Sequence, residues 1–143
     1  MIKLRVEIDG GSRGNPGPAA AAIVVRDPDG KVLMERSQFL GRTTNNVAEW
    51  ASLEMAVRTL IAVARKYGPV EAAVQADSQL VVRQFNGDYR IKDAGLQQIA
   101  GRVRRLLLEH PEVKVRLVHV PREENRLADT AVNRELDKVL KAK

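Results

Sequence analysis

The sequence contains no cysteine and few aromatic residues, and each absence excludes a class of function. Without thiols there are no disulfide bonds and no thiolate chemistry, so any bound metal ion must be held by oxygen or imidazole. Phe, Trp and Tyr make up 3% of the residues, which argues against a surface that stacks nucleic-acid bases. No run of about 18 apolar residues occurs, and the N-terminal MIKLRVEID lacks the apolar core of a signal peptide. We therefore expect a cytoplasmic protein that is neither exported nor membrane-bound.

The composition that remains is that of an ordinary globular protein, with 44% hydrophobic and 29% charged residues. A chain of 143 residues is large enough for one hydrophobic core and too short for two, so we expect a single domain spanning residues 1–143. There are 24 lysine and arginine residues against 18 aspartate and glutamate residues, and the formal net charge is +6. This charge suits either a polyanionic partner or a solubilising surface, and composition alone does not decide between them.

The order of the sequence patterns predicts an α/β fold. Alternating apolar residues or short apolar runs predict strands at 2–9, 19–25, 32–40, 70–76 and 113–120. Apolar residues at helical spacing predict helices at 46–67, 78–85, 93–110 and 124–140. Three strands joined by short turns, followed by alternating helices and strands, predict a mixed sheet covered by helices.

Four acidic residues occupy positions where a hydrophobic core or a ligand site is expected. Asp9 and Asp77 stand at the carboxyl ends of predicted strands, where ligands of such sheets bind. Glu49 and Asp129 each begin an apolar stripe on a predicted helix, so their carboxylates should face inward. Each acid alone also has an ordinary explanation. Asp9 would be an exposed charge, Asp77 would cap the following short helix, and the other two would be favourable charges near helix starts.

The four acids together require a different explanation. Carboxylates that converge from two strand ends and two helix starts would repel each other strongly unless a cation held them together. With oxygen ligands only, Mg²⁺ is the natural ion and Mn²⁺ the alternative. Mg²⁺ accepts a few carboxylates, keeps several waters and completes its coordination with substrate phosphate oxygens. The sequence therefore predicts a divalent metal site between these acids.

Four segments, DGGSRGNPGP, RTTNNVAEW, ADSQLVVRQ and ENRLADTAVN, occur in an order that resembles the type 1 ribonuclease H family, and the likeness covers nearly the whole chain. The resemblance implies a five-stranded mixed sheet, with three antiparallel strands and then two parallel ones, flanked by helices on both faces. It also implies an endoribonuclease that hydrolyses the RNA strand of RNA/DNA hybrids with two metal ions, leaving 5′-phosphate and 3′-hydroxyl ends. The family's catalytic and metal-binding acids match Asp9, which would bridge both ions, and Glu49, Asp77 and Asp129.

The resemblance further implies a substrate groove beside the metal site. Glycines after Asp9 would let a nucleic-acid backbone approach the ions closely. Amide side chains would bind ribose 2′-hydroxyls and base edges, while a hydroxyl would contact phosphate. Turn formation and helix capping explain Asn15, Thr44 and Asn45 equally well, and Gln79 is also typical of a polar helix surface. The matching residues are Gly10, Gly11, Gly14, Asn15, Thr44, Asn45 and Gln79.

The chain departs from the family pattern in two places. The loop before the last acid has no histidine and offers Arg122, which can contact phosphate but cannot take up a proton. The segment NGDYRIKDAG is too short for the basic protrusion that many members carry, so the chain resembles the compact subgroup and we expect weaker substrate binding.

Two rival functions share the fold. A non-catalytic nucleic-acid-binding domain would have lost one of the four acids, and none is lost. A polynucleotidyl transferase, such as a transposase or a junction resolvase, would normally bring further domains. For the favoured reading we expect a monomer that binds RNA/DNA hybrids, and activity on double-stranded RNA stays an open alternative.

Overall fold

The computed structural model describes residues 1–141 and contains one five-stranded mixed sheet. Its strands are β1 (Ile2–Ser12), β2 (Gly17–Arg26), β3 (Val32–Thr43), β4 (Val70–Ala76) and β5 (Val113–His119). They lie side by side in the order β3-β2-β1-β4-β5. The pairs β1–β2 and β2–β3 are antiparallel, whereas β1–β4 and β4–β5 are parallel. The implied arrangement of three antiparallel strands followed by two parallel ones is therefore confirmed.

Capping residues mark where the helices begin. The helices are α1 (Asn45–Tyr67), α2 (Gln79–Phe85), α3 (Ala94–Glu109) and α4 (Arg126–Lys141), and a 3₁₀ turn, Arg122–Asn125, precedes the last. The side chains of Thr44, Ser78 and Asp93 each accept a hydrogen bond from a backbone N–H in the first turn of α1, α2 and α3, respectively. Gly68 ends α1 at φ 104°, a conformation that favours glycine. Within residues 1–141, no helix is long and apolar enough to cross a membrane.

Helices cover both faces of the sheet. The larger hydrophobic cluster lies between the sheet and α1, α2 and α3, and its fully buried members include Val6, Trp50, Leu53 and Val81. A smaller cluster packs α4 against the other face of the sheet. Its buried residues are Ala20, Ala22, Ala131, Val132 and Leu136. The second face is thus closed mainly by small side chains, which lets α4 approach β2 closely.

The first strand is longer than the sequence pattern predicted. We expected Asp9 to close β1, but the strand continues to Ser12. The extra residues pair with the alanine run of β2, with Gly10 opposite Ala21 and Gly11 opposite Ala20. Glycine is a poor strand former alone, so this extension depends on the neighbouring strand and is invisible to local patterns.

The polar face of β1 is also less exposed than its alternation predicted. Glu7 is 3% exposed, and its Oε2 accepts a hydrogen bond from Arg26 Nε at 2.7 Å. Arg26 also donates to the Gly30 carbonyl at 2.8 Å, so the pair ties the central strand to the β2–β3 turn. Central strands in a sheet covered on both faces lose the simple alternation of inside and outside.

Candidate active site

The four predicted acids come from four different elements that meet at one edge of the sheet. The parallel pairing of β1 with β4 ends at Ile8 and Ala76, so Asp9 and Asp77 are the residues that follow this last pair on the two neighbouring strands. Glu49 lies in α1, one turn after its start, and Asp129 lies in the first turn of α4. The convergence expected from the sequence therefore follows from the strand register together with the placement of two helices on opposite faces.

All four acids line one cavity of about 440 Å³. Of the eight residues expected to contact substrate or to leave room for it, Gly10, Gly11, Asn45 and Arg122 also line this cavity. Asn15, Thr44 and Gln79 are not part of the cavity lining within the described residues, and Gly14 lies in the adjoining turn. The remaining lining residues are Ser12, Arg13, Ser78, Val132, Asn133 and Leu136.

Asp9 is the most buried of the four acids, at 8% exposure. Burial raises the pKa of its carboxyl group from 3.8 to about 8, and the negative charges of Asp77, Asp129 and Glu49 add to the rise. Asp129 also lies within hydrogen-bonding reach of Asp9, so the two carboxyl groups can share a proton. Without a cation, a pKa of about 8 leaves Asp9 mostly protonated at neutral pH.

The pKa values of Glu49 and Asp77 are raised as well, in both cases chiefly by burial. The pKa of Glu49 rises to about 7, although a hydrogen bond from the Ser78 hydroxyl opposes the rise. The pKa of Asp77 is raised above its usual value, and the positive charge of Arg122 is the largest opposing influence. Such shifts in a cleft are a recognised mark of functional sites.

The donor set of the cavity fits hard divalent cations. Carboxylate oxygens, amides and two hydroxyls line it, and the lining contains neither imidazole nor thiol. Within residues 1–141, no three His, Asp or Glu side chains are already gathered closely enough to hold an ion. The raised pKa values of Asp9 and Glu49 show that their negative charge is costly, and a divalent cation would offset that cost. The four carboxylates are thus suitable ligands for a divalent cation, but they would have to move closer together to hold one.

Gly10 has a structural explanation of its own, while its expected role in leaving room for a nucleic-acid backbone stays a prediction. A Cβ atom at this position would collide with the backbone carbonyl group of Ala48, so glycine is required by the close approach of α1 to β1. A Cβ at Gly11 would only touch Val132 of α4, at an ordinary distance of 3.7 Å. Gly14 has φ +95°, which the turn between β1 and β2 requires. The glycine at position 10 thus lets α1, the helix that carries Glu49, lie close to β1.

The amide side chains expected in the groove form a network that holds the β1–β2 turn to α1. Asn45 Oδ1 accepts from Ser12 N at 2.8 Å and from Ser12 Oγ at 3.1 Å. Asn15 Oδ1 accepts from Asn45 N at 3.1 Å. Thr44 is the N-cap of α1, since its Oγ1 accepts from Val47 N at 3.2 Å. The turn-forming and capping explanations therefore describe the contacts that these three residues make within the chain.

The contacts of α2 bear on two further sequence alternatives. Ser78, not Asp77, caps this helix, because its hydroxyl accepts from Val81 N at 3.2 Å. Asp77 is thereby left for the cavity, and its explanation as a helix cap is wrong. Gln79 is exposed, and with its amide oxygen turned towards Arg83 it accepts from that guanidinium at 3.1 and 3.3 Å. Gln79 thus forms a helix-surface pair in the free chain.

Sequence reasoning missed two polar residues that shape the site. Ser78 hydrogen-bonds Glu49, as described above, and its position directly after Asp77 was the available signal. Asn125 is fully buried, and its Nδ2 donates to the carbonyl of Ile8 at 2.7 Å. This bond fastens the chain entering α4 to the residue preceding Asp9. Its partners lie 117 residues apart, so no local pattern could have revealed it.

Comparison with known proteins agrees with this geometry. The family model described as reverse transcriptase-like matches residues 7–135. The ribonuclease HI of Halobacterium salinarum is 36% identical over 135 residues, which cover 94% of this chain and 65% of that protein. The bifunctional protein Rv2228c of Mycobacterium tuberculosis is 39% identical over 95% of this chain. This match covers only 36% of that protein, so the chain spans little more than a third of its length.

Solved structures give the same result. LC11-RNase H1, whose structure was determined in complex with an RNA/DNA hybrid, has a TM-score of 0.89 and 39% identity. The match covers 96% of this chain and 99% of that chain. The fold and the acid-lined edge of the sheet define a ribonuclease H-like protein of the reverse transcriptase-like class. Within that class, the chain belongs to the type 1 ribonuclease H family.

Proposed function

We propose that this protein is an endoribonuclease that hydrolyses the RNA strand of RNA/DNA hybrids. The products would carry 5′-phosphate and 3′-hydroxyl ends. Residues 1–143 would act as one ribonuclease H domain, and as a monomer, since the four acids come from a single chain. Similarity to LC11-RNase H1 over almost the whole of both chains supports the hybrid as the substrate.

The observation that carries this proposal is the meeting of four carboxylates at one cavity. Asp9, Glu49, Asp77 and Asp129 would hold two Mg²⁺ ions, or Mn²⁺ in their place. Asp9 would hold the ions together with the other three acids, whose negative charges add to the rise of its pKa because all four lie at one cavity. When bound, the ions supply activation of the attacking water and stabilisation of the leaving 3′-oxygen.

The chain's own residues would place the substrate and the acids. The Ser78 hydroxyl orients Glu49, and the bond from Asn125 to Ile8 keeps the start of α4 beside the end of β1. Arg122, at the rim of the cavity, can contact a substrate phosphate, but it cannot act as a base. Arg122 therefore takes no part in proton removal.

Recognition of ribose would be made by the amide network at the β1–β2 turn. Asn45 lines the cavity, and its Nδ2 group is not the atom that holds Ser12, so it can donate to a 2′-hydroxyl. Asn15, Thr44 and Gln79 lie outside the cavity lining and would contact the hybrid only beyond the four acids. We accordingly expect cleavage to require ribose, and replacing all ribose with deoxyribose should abolish it.

The test is incubation with end-labelled RNA/DNA, RNA/RNA and DNA/DNA duplexes, each with and without Mg²⁺. The parent should cleave the RNA of the hybrid only when the ion is present, and Asp129→Asn should lose this activity. Asp29→Asn is the matched control, because it removes the same charge from an exposed turn outside the cavity. Comparable nicking of the DNA duplex would instead favour the polynucleotidyl transferase. Hybrid binding without any cleavage would favour the non-catalytic domain.

A further inference from the structure

Arg122 lies against the acids of the cavity. Its Nη2 is 3.3 Å from Asp129 Oδ1, and its side chain is 73% exposed whereas that of Asp129 is 28% exposed. The pKa of the guanidinium is raised, first by Asp129 and then by Asp77 and Asp9. The positive charge of Arg122 in turn opposes the rise in the pKa of Asp77 that burial causes. One exposed side chain therefore balances part of the negative charge of three buried or half-buried acids.

A second arginine in the cavity lining has a different partner. Arg13 Nη2 is 2.7 Å from Asp137 Oδ1 in the second half of α4, and it also donates to the Asn133 carbonyl at 3.5 Å. Asp137 is not one of the acids assigned to the ions. The charge of Arg13 is thus neutralised by an acid outside the proposed metal site, whereas Arg122 pairs with Asp129, an acid of that site.

We propose that Arg122 is an internal counter-ion that competes with divalent cations in the free protein and is withdrawn by substrate phosphate. The inference rests on the proposed function. An arriving cation needs the Asp129 carboxylate, of which Arg122 already contacts Oδ1, and it is repelled by the charge of Arg122. Arg122 should therefore weaken ion binding as long as no nucleic acid is present.

Substrate would reverse this effect. A guanidinium binds a phosphate through two parallel hydrogen bonds, and the exposed Arg122 side chain can leave Asp129 without disturbing the buried core. Once Arg122 binds phosphate, the Asp129 carboxylate becomes available to the ion. Hybrid binding should thus tighten ion binding, and by linkage the ion should tighten hybrid binding by the same factor.

The first experiment measures Mg²⁺ affinity of the free protein by calorimetry. Arg122→Gln should bind Mg²⁺ about three- to tenfold more tightly than the parent, equivalent to about 0.7–1.4 kcal/mol. Arg122→Lys keeps the charge and should stay near the parent. Arg13→Gln is the matched control and should change the affinity less than about twofold, since Asp137 already neutralises that arginine. Melting in EDTA checks that each variant is folded.

The second experiment repeats the titration with a hybrid whose RNA strand carries 2′-O-methyl groups and so resists cleavage. This hybrid should increase the Mg²⁺ affinity of the parent more than that of Arg122→Gln. An affinity in Arg122→Gln that equals or falls below that of the parent would overturn the inference, as would a lysine variant that behaves like the glutamine variant. These readouts require no hydrolysis. A parent that shows the expected Mg²⁺ dependence but cleaves no hybrid overturns the proposed function and leaves the inference standing.

Discussion

Replacing Asp9 by asparagine should change the free energy of unfolding in a way that depends on pH, because the fold disfavours the ionised form of this carboxyl group. Its pKa is raised from 3.8 to about 8 in the metal-free fold, chiefly by burial. Between these two pH values the unfolded chain gives up the proton and the folded chain keeps it. The resulting loss from the free energy of unfolding is on the order of 5 kcal/mol at about 1.4 kcal/mol per pH unit.

The sign of the effect follows from proton binding. The proton on Asp9 makes its full contribution to the free energy of unfolding below pH 3.8. This contribution is lost as the pH rises towards 8. Glu49, whose pKa is raised from 4.5 to about 7, adds to the same trend. Glu54 acts in the opposite direction at low pH, because its pKa is lowered by hydrogen bonds from Arg102 and Arg58 that outweigh its burial. The parent alone therefore reports a mixture of effects.

The difference between Asp9→Asn and the parent isolates the Asp9 contribution. In EDTA, urea unfolding should give a difference of only about 1 kcal/mol at pH 4.5, and the variant should be more stable by several kcal/mol at pH 8.5. Mg²⁺ should stabilise the parent by about 2.7 kcal/mol at a hundredfold excess over its dissociation constant, and the variant less. Asp29→Asn, at an exposed turn, should show no such pH dependence. A stability difference between Asp9→Asn and the parent that stays constant from pH 4.5 to 8.5 would refute this reasoning.

Three further perturbations have definite expected outcomes. Asp77→Asn should leave the metal-free protein at least as stable as the parent in thermal melts, since it removes a charge while Ser78 still caps α2. It should also reduce hybrid cleavage by orders of magnitude; a much lower melting temperature or normal cleavage would contradict this. Gly10→Ala should cost about 1–3 kcal/mol or more in urea unfolding because of the collision with Ala48, whereas Gly101→Ala, which meets open space in α3, should stabilise by up to about 1 kcal/mol. Similar effects at both positions would refute the packing role. Hybrid affinity, measured as a function of salt, should fall shallowly because the basic protrusion is missing, and a slope typical of roughly ten phosphate contacts would reveal a further binding surface.

The order of the elements was predictable because each carries its own local signal. Alternation and short apolar runs marked the strands, and the three-to-four-residue spacing of apolar side chains marked the helices. The capping role of Asp93 was expected from its residue type, and its Oδ2 accepts from Leu96 N at 2.9 Å. The candidate site was predictable for a related reason: acids at strand ends and at the start of apolar helix stripes must face one another once a mixed sheet forms.

What the sequence could not reveal depends on contacts between distant segments. The requirement for glycine at position 10 arises from the Ala48 backbone, which no local pattern brings near it. The burial of Glu7 depends on the partner Arg26 and on a helix that covers the second face of the sheet. The hydrogen bond from Asn125 to Ile8 joins two segments that lie 117 residues apart in the sequence. Local propensity has no access to such pairings.

The alanine run of β2 has a consequence for how the acid site is built. Ala20 and Ala22 are completely buried against α4, the helix that carries Asp129, although β2 supplies none of the four acids. These methyl groups lie between β2 and α4, so their size sets the distance of α4 from the sheet and with it the position of the Asp129 carboxylate relative to Asp9. A bulkier side chain at Ala20 or Ala22 would move α4 away from the sheet and widen the gap between the two acids. Two alanines of a strand that supplies no acid thus help to set the position of the Asp129 carboxylate, which belongs to another element.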